Sequence, residues 1–357
     1  MSDHYFHRVN RLSPTKFWIN NPTREDAAWA IEEGALGCTN NPSYSFKMLQ
    51  SPVEGGLARR YLAEAIAESK DDDEAAAIFQ RKLVKGIQEI FHPIWEESRG
   101  ENGYVSIQGD PIHEDDPDVI IHEARENRKL GENIAIKIPC TKAGLDAMET
   151  LVAEDCPINA TEIMSVSQGI ALCEMYEKVS KKAGKRPPLW LSFIAGIYDE
   201  QLQNYVRDNK LDIEGDVLRQ AGLAAARKMY AIMHDRRYRA IMIGGGARQL
   251  YHFTEMVGGD LVVTINRVGT ADLLVEQNPD VVHRFLNPVP PLVIDELLAK
   301  LPDFRKGWYP DGLDVAEFEE FAPVVLFRSS FLKSWRGVLA EIARLRPELA
   351  PGGKPRA

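Results

Sequence analysis

Lys137 stands in Asn133-Ile-Ala-Ile-Lys-Ile-Pro139, a lysine inside an apolar run of strand type. Burial disfavours an ammonium ion and lowers its pKa. A free amine near neutral pH can attack a ketone or aldehyde, and the resulting imine draws electrons out of a neighbouring C–C bond. The competing reading is a lysine that points outward and carries its charge past a helix to water. The residues alone leave both open. Other chemistries lack their signatures, since there is no HExxH, no Gx₄GK[ST] loop and no GxSxG elbow. Cys38, Cys140, Cys156 and Cys173 form no CxxC pair, so they read as buried thiols in a reducing compartment rather than metal ligands. No metal and no cofactor is expected. The acidic runs Asp71–Glu74 and Glu114–Asp118 read as helix N-termini, where negative charge suits the dipole, rather than as cation sites.

The elements that would position Lys137 are short β-rich runs alternating with longer helical patterns. Strands are expected at Phe17–Asn20, Leu36–Thr39, Tyr104–Gln108, Ile134–Ile138, Ile158–Ile163, Leu189–Ile194, Ala240–Ile243 and Leu261–Ile265. Helical signals fill the gaps, among them Arg24–Glu33, Ala75–Glu97, Ala143–Ala153, Ser165–Lys181 and Gly215–Met233. Strands alternating with helices imply a parallel sheet. Eight units within about 250 residues favour a closed (β/α)₈ TIM barrel. An open doubly wound sheet is the weaker alternative, because no GxGxxG follows the first strand. Extra helices are expected after the second strand, two of them over about 48–91. More are expected at the C-terminus, near Val293–Leu301 and Ser330–Leu345. One TIM-barrel domain over 1–350 is expected, with the barrel over about 16–276 and a helical extension over 277–347. A disordered tail would occupy 351–357.

The chain has 357 residues, is 44% hydrophobic and 27% charged, and carries a formal charge of -10. That composition suits a folded soluble protein, and an acidic balance gives little electrostatic reason to bind nucleic acid or a membrane. The first residues lack the apolar core of a signal peptide, and no apolar run reaches the length of a membrane span, so a cytoplasmic enzyme is expected.

Polar residues at the C-terminal ends of barrel strands face the active site. Here those ends carry Asn20, Asn41, Gln108 with Asp110, Lys137, Asn159 with Thr161, Ser192 and Arg248. Several blocks, in order, resemble the transaldolases and their fructose-6-phosphate aldolase relatives. They are Lys16-Phe-Trp-Ile-Asn-Asn21, Gly37-Cys-Thr-Asn-Asn-Pro-Ser43 (with Asn40 off the family pattern), Tyr104–Pro111, Asn133–Leu145, Ile158–Ser165 and Gly244-Gly-Gly-Ala-Arg248. The helix around Phe331–Ile342 resembles the family's closing helix. The resemblance implies that Lys137 forms the imine, Asn41 bonds substrate hydroxyls, Thr161 helps hold the catalytic water and Ser192 lines the pocket. Arg248, after the Gly-rich turn at Gly246, would bind a sugar phosphate, with backbone N–H groups of the turn assisting.

Four positions depart from the family. Asn20 stands where a catalytic Asp ends the first strand, and Gln108 where transaldolases carry a Glu, although the aldolase relatives also have Gln there. Ile194 falls where those relatives have an acid/base Tyr, and Ile197 replaces a second phosphate-binding Arg. Tyr198 would compensate only if the register slips by a residue. Fewer anions are therefore expected near Lys137. A replacement base is sought among Asp110, His113 and Glu162, each of which reads first as a surface or structural residue. The function expected is a transaldolase-like transfer of a three-carbon ketol unit from a ketose to an aldehyde through Lys137. The alternatives are an aldolase that releases the three-carbon ketone, or an impaired barrel that binds a sugar or a partner. The partners expected are small sugars or sugar phosphates, without nucleic acid or membrane. A second copy of the chain, as a homodimer, is left open.

Overall fold

A computed structural model describes residues 4–349, so the tail expected over 351–357 lies outside the described residues. Eight parallel strands run in sequence order and close into a barrel: β1 Lys16–Asn20, β2 Gly37–Asn40, β3 Tyr104–Gln108, β4 Ile134–Pro139, β5 Ile158–Ile163, β6 Leu189–Phe193, β7 Ile241–Gly244 and β8 Val262–Ile265. β1 pairs with β8 through Lys16–Val262 to Ile19–Ile265, which closes the ring and leaves no free edge. The expected strands are all present, shifted by at most a residue or two at their ends.

The helices follow in order. The first are α1 (Tyr5–Leu12), α2 (Arg24–Glu32), α3 (Ser43–Gln50), α4 (Gly55–Glu68) and α5 (Asp72–Glu97). The central ones are α6 (Pro117–Arg128), α7 (Lys142–Ala153), α8 (Val166–Ala183), α9 (Ala195–Asn209), α10 (Gly215–Leu218) and α11 (Ala221–Asp235). The last are α12 (Tyr251–Thr254), α13 (Asp272–Gln277), α14 (Pro291–Lys300), α15 (Pro302–Trp308) and α16 (Ala322–Leu349). No helix among the described residues is long and apolar enough to cross a membrane. Thr23, Asp71, Asp116, Thr141 and Ser165 cap their helices by accepting from backbone N–H groups of the first turn. The acidic runs behave as expected at Asp71 and Asp116, but Glu114 is buried.

Three details differ from the sequence reading. The segment after β2 holds three helices, because Ser51-Pro52 ends α3 early and α4 restarts at Gly55. The helix expected over 215–233 is broken near Arg219. There Gly222 donates its N–H to Asp199 Oδ1 at 2.7 Å, and a Cβ on it would lie 2.4 Å from the Ala195 carbonyl. The last helix begins at Ala322, eight residues before Ser330. Pro323 sits in its first turn, where a missing N–H costs nothing. The added turns carry Phe327 and Arg328.

Two cores divide the apolar residues. The larger lies between the strands' outer faces and the helices. The smaller fills the barrel itself with Trp18, Tyr104, Ala135, Trp190, Ile243 and Val262. These residues form a floor, and the next inward positions along β1, β3, β4 and β6 are Asn20, Ser106, Lys137 and Ser192. Period-two alternation thus places the lysine one layer above an aromatic plug. Gly37 makes room for that plug, since a Cβ there would lie 2.4 Å from Trp18 Cε2. We expect Gly37→Ala to cost about 1–3 kcal/mol by overpacking. A smaller ring in Trp18→Phe should relieve that cost. A double-mutant cycle in urea denaturation checks this, and strict additivity would rule it out.

Candidate active site

Lys137 leaves β4 between Gln108 of β3 and Asn159 of β5, its register partners on either side. Its residue surface is 5% exposed, and it lines a small cavity of about 70 Å³ at the C-terminal mouth of the barrel. The same cavity is bordered by Asn20, Thr39, Asn41, Ser192, Ile194, Gly246 and Arg248, and by Phe327 from α16. Lys137, Asn20, Asn41, Ser192, Gly246 and Arg248, all expected at the site, are thus brought together. Thr161 and Gln108 are buried on β5 and β3 beside Lys137 but do not border this cavity.

Hydrogen bonds fix most of these side chains. Ser192 Oγ donates to Asn159 Oδ1 at 2.7 Å, and Asn159 Nδ2 donates to Ser106 Oγ at 3.1 Å, which ties β6, β5 and β3 across the interior. Asn20 accepts from Thr39 Oγ1 at 2.8 Å and donates to Asn266 Oδ1 at 3.0 Å. Asn41 accepts from Asn21 Nδ2 at 2.9 Å and from the Ser43 N–H at 3.0 Å, so its carbonyl oxygen is turned toward its own loop. Asn159, expected at a strand end, and Thr39, Ser106 and Asn266 complete this polar layer. Inward alternation along the strands could have found Thr39 and Ser106.

Burial moves the Lys137 amine down from 10.5 to about 8, while the carboxyl of Glu162 pulls it back up. Glu162 is the main surprise. It is fully buried, and Gln108 Nε2 donates to its Oε1 at 3.0 Å. Burial raises its carboxyl from 4.5 to about 7, against the Gln108 hydrogen bond and the charge of Lys137. Strict alternation along β5 would point Glu162 outward, behind Thr161. Instead the β5–β6 pairing is irregular between Ala160 and Ile163, and Glu162 has a left-handed φ of 61°. That conformation costs a non-glycine residue on the order of 1–2 kcal/mol. The expectation of fewer anions near Lys137 is corrected accordingly, as is the reading of Glu162 as a surface residue.

The other two candidate bases are placed elsewhere. Asp110 Oδ2 is 2.6 Å from His113 Nδ1, and its Oδ1 accepts from the Ile112 N–H at 2.7 Å. That pair caps the loop after β3. Tyr198 does not compensate for Ile194. Its hydroxyl donates to the Asp303 carbonyl at 2.8 Å on the C-terminal extension, while Ile194 borders the cavity.

The expected anion cradle also differs. Gly246 has a φ of 70°, and a Cβ on it would meet Ile194 Cγ2 at 2.6 Å and Ile197 Cγ1 at 3.0 Å, so the two isoleucines pack directly under the turn. The N–H groups of Arg248 and Gln249 point at His252 Nδ1, at 3.3 and 3.2 Å. Arg248 Nε is paired with Glu200 Oε2 at 2.7 Å on the half-exposed rim. The guanidinium is at the site, but its charge and the neighbouring amides are engaged within the protein.

Helix α16 covers the mouth. Arg328 Nε lies 2.6 Å from Glu114 Oε1, at an angle that makes an ion pair rather than a hydrogen bond, and a terminal nitrogen pairs with Glu319. Glu114 is raised well above the ordinary carboxyl range, first by burial and then by the charge of Glu162, with Arg328 opposing. A carboxyl raised in the fold binds protons that the unfolded chain releases, so its contribution to stability falls as pH rises through that window. At alkaline pH, where the Glu114 carboxyl is ionised, Arg328→Met should therefore cost about 3–5 kcal/mol by leaving a buried carboxylate without its cation. The loss should be clearly smaller at pH 5, and Glu114→Gln should restore much of it. Urea denaturation at both pH values decides, since equal losses would mean the charge is not the cause.

Comparison with known proteins gives a consistent family. A family profile described as "Transaldolase/Fructose-6-phosphate aldolase" matches residues 17–285. The transaldolase of Mycobacterium tuberculosis (strain ATCC 25618 / H37Rv) is 30% identical over 234 residues, covering 61% of this chain and 61% of the relative. That of Mycobacterium ulcerans (strain Agy99) is 31% identical over 231 residues, with the same coverage. The chain thus spans about three fifths of the length of the curated relatives it matches.

Proposed function

The chain belongs to the transaldolase/fructose-6-phosphate aldolase family, and from that premise we propose that it carries a three-carbon ketol unit from a ketose to an aldehyde through an imine on Lys137. The observation that carries this reading is the buried amine itself, lowered to about 8 at the open end of the barrel among hydroxyl and amide groups. Neutral Lys137 attacks the C2 carbonyl of the ketose, and loss of water leaves a cationic imine. The C3–C4 bond then breaks, its electrons flow into the imine, and an aldehyde departs. The remaining enamine attacks the carbonyl carbon of an acceptor aldehyde, and hydrolysis frees the product and the amine. Asn20, Ser192 and Asn41 serve to orient hydroxyls, and Thr161 to hold the water. The polar layer of Ser106, Asn159 and Ser192 would keep the lysine side chain in one rotamer, which is what attack at a fixed carbon needs.

The aldolase alternative has its own support in Gln108, and the two differ in one assay. Release of free dihydroxyacetone without an aldehyde acceptor marks the aldolase, whereas turnover only with acceptor marks the transferase. An impaired, merely binding barrel would form no adduct at all.

Reduction with borohydride in the presence of dihydroxyacetone or a ketose should add mass at Lys137, and Lys137→Met should abolish it. The rate of adduct formation should rise with pH to a midpoint near 8. A lysine depressed in the fold binds fewer protons than the unfolded chain between about 8 and 10.5, so it penalises stability below that window and the penalty lifts as pH rises through it. Lys137→Met should therefore stabilise the protein by on the order of 1–3 kcal/mol at pH 7, with the gain shrinking above pH 9. No adduct with any ketose would sink the catalytic reading.

The engagement of Arg248 bears on the substrate. Glu200→Gln should release the guanidinium and lower KM for a phosphorylated ketose several-fold, leaving KM for an unphosphorylated one unchanged. A response equal for both would place the phosphate elsewhere.

A further inference from the structure

We propose that Glu162 is the proton-transfer group of the Lys137 site, replacing the carboxylates that Asn20 and Gln108 do not supply. The inference rests on the imine reading of Lys137 and deepens it.

Geometry carries the argument. Gln108 is on β3, Glu162 on β5, and Lys137 on the strand between them, in register with Gln108. A side-chain hydrogen bond of 3.0 Å from Gln108 to Glu162 must therefore cross the C-terminal end of β4, beside the point where the lysine side chain emerges. The carboxyl that β3 lacks is one hydrogen bond away, attached to β5. Gln108 serves that carboxyl as donor through Nε2, and the oxygen facing it accepts.

Three polar atoms around this bond have no protein partner although they are buried, namely Gln108 Oε1, Glu162 Oε2 and Thr161 Oγ1. Buried polar atoms are almost always bonded, and those that are not need a reason. Two acceptor oxygens, one on β3 and one on β5, with a hydroxyl next to the second, suit a substrate hydroxyl or a water that donates to the oxygens. The backbone is bent to reach this arrangement, through the left-handed φ at Glu162 and the irregular pairing after Ala160. Strain of this kind persists where surrounding structure enforces it, and it gathers at working sites. Two cations, Lys137 and Arg328, act on the Glu162 carboxyl, and Arg328 is itself paired with Glu114.

The step balances without any further reagent. In cleavage, ionised Glu162 takes the C4 hydroxyl proton as the C3–C4 bond breaks, and the bond's electron pair reduces the imine to an enamine. In addition, the protonated carboxyl returns that proton to the oxygen formed on the acceptor. With a bound three-carbon ketone and no acceptor, the same carboxylate removes and replaces a proton on the carbon next to the imine.

That last reaction gives the test. Wild-type protein with dihydroxyacetone in D₂O should exchange the substrate's carbon-bound protons, read by proton NMR. Borohydride should also trap the ketone on Lys137. Glu162→Gln, which keeps shape and removes the proton, should lower exchange at least 100-fold while the extent of trapping at saturating ketone is kept. The exchange rate of the wild type should rise through a midpoint near pH 7, and that dependence should vanish in Glu162→Gln. The double variant Gln108→Glu/Glu162→Gln, which moves the carboxyl back across the hydrogen bond, should recover exchange at least tenfold. Should Glu162→Gln not fold, Glu162→Asp takes its place, with at least a tenfold loss expected. Exchange within threefold of wild type, or loss of trapping along with exchange, would overturn the proton-transfer role and leave the imine reading intact or reassign Glu162 to holding the lysine. Absence of trapping in the wild type would overturn the imine reading itself, and this inference with it.

Discussion

An amine held out of water inside a closed ring of strands sets the terms for everything around Lys137. A lysine ammonium loses solvation when β4 draws it inward, and the barrel offers only a few ways to compensate. It can surround the amine with polar side chains, as Asn20, Thr39 and Ser192 do around the shared cavity. It can supply charge, as Glu162 does. Or it can let the proton go, which is the direction in which burial drives the group. The structure combines all three. The resulting balance, with an amine near 8 and a carboxyl near 7, leaves both groups able to change protonation state around neutral pH.

The constraint extends outward from that pair. A carboxyl placed close to Lys137 is itself buried and needs a cation when the lysine is neutral. Arg328 fills that role from α16, and it brings Glu114 and Glu319 with it. The helix that closes the barrel mouth is thus electrostatically joined to Glu162 on β5. Its buried stripe of Phe331, Trp335, Val338 and Ile342 holds it in place from the apolar side. Below Lys137, Trp18, Tyr104 and Trp190 fill the barrel, so neither the lysine nor solvent can sink further. Floor, lysine layer and lid form one stack, and each supports the placement of the next.

Most of that stack was legible in the sequence. Short strands with period-two burial and intervening helices are strong signals, and they placed the closed barrel, Lys137, and the inward position of Asn20 and Ser192. The blocks resembling transaldolases added Thr161 and Arg248. What was not legible follows from physics that pattern does not encode. Glu162 is adjacent to an inward threonine, so alternation assigns it to the outer face, and only a local break in β5 turns it round. The state of Arg248 depends on Glu200, forty-eight residues away, and on His252 claiming the turn's amides. Ile194 and Ile197 were read as losses of polar function. In the fold they pack beneath Gly246, so they shape the turn as well as leaving out a tyrosine and an arginine.

On the proposed reading, a carboxyl on β5 can do the work of one on β3, because proton transfer depends on where the oxygen stands, and the strand it hangs from matters little. β3 and β5 flank β4 on either side, and their inward side chains converge over Lys137. Gln108 and Glu162 at 3.0 Å occupy nearly one location between them, with one residue as donor and the other as acceptor. Glu at Gln108 and an apolar residue at Glu162 would place one negative charge in almost the same spot. The two solutions differ in their supporting cost. A glutamate on a regular β3 is reached without strain, whereas Glu162 requires a left-handed residue and a counter-ion on α16. A chain that retains such a feature has tied the carboxyl's ionisation to the seating of its closing helix. Displacing Arg328 would raise the Glu162 carboxyl further, so the seating of α16 bears on a proton held beside Lys137.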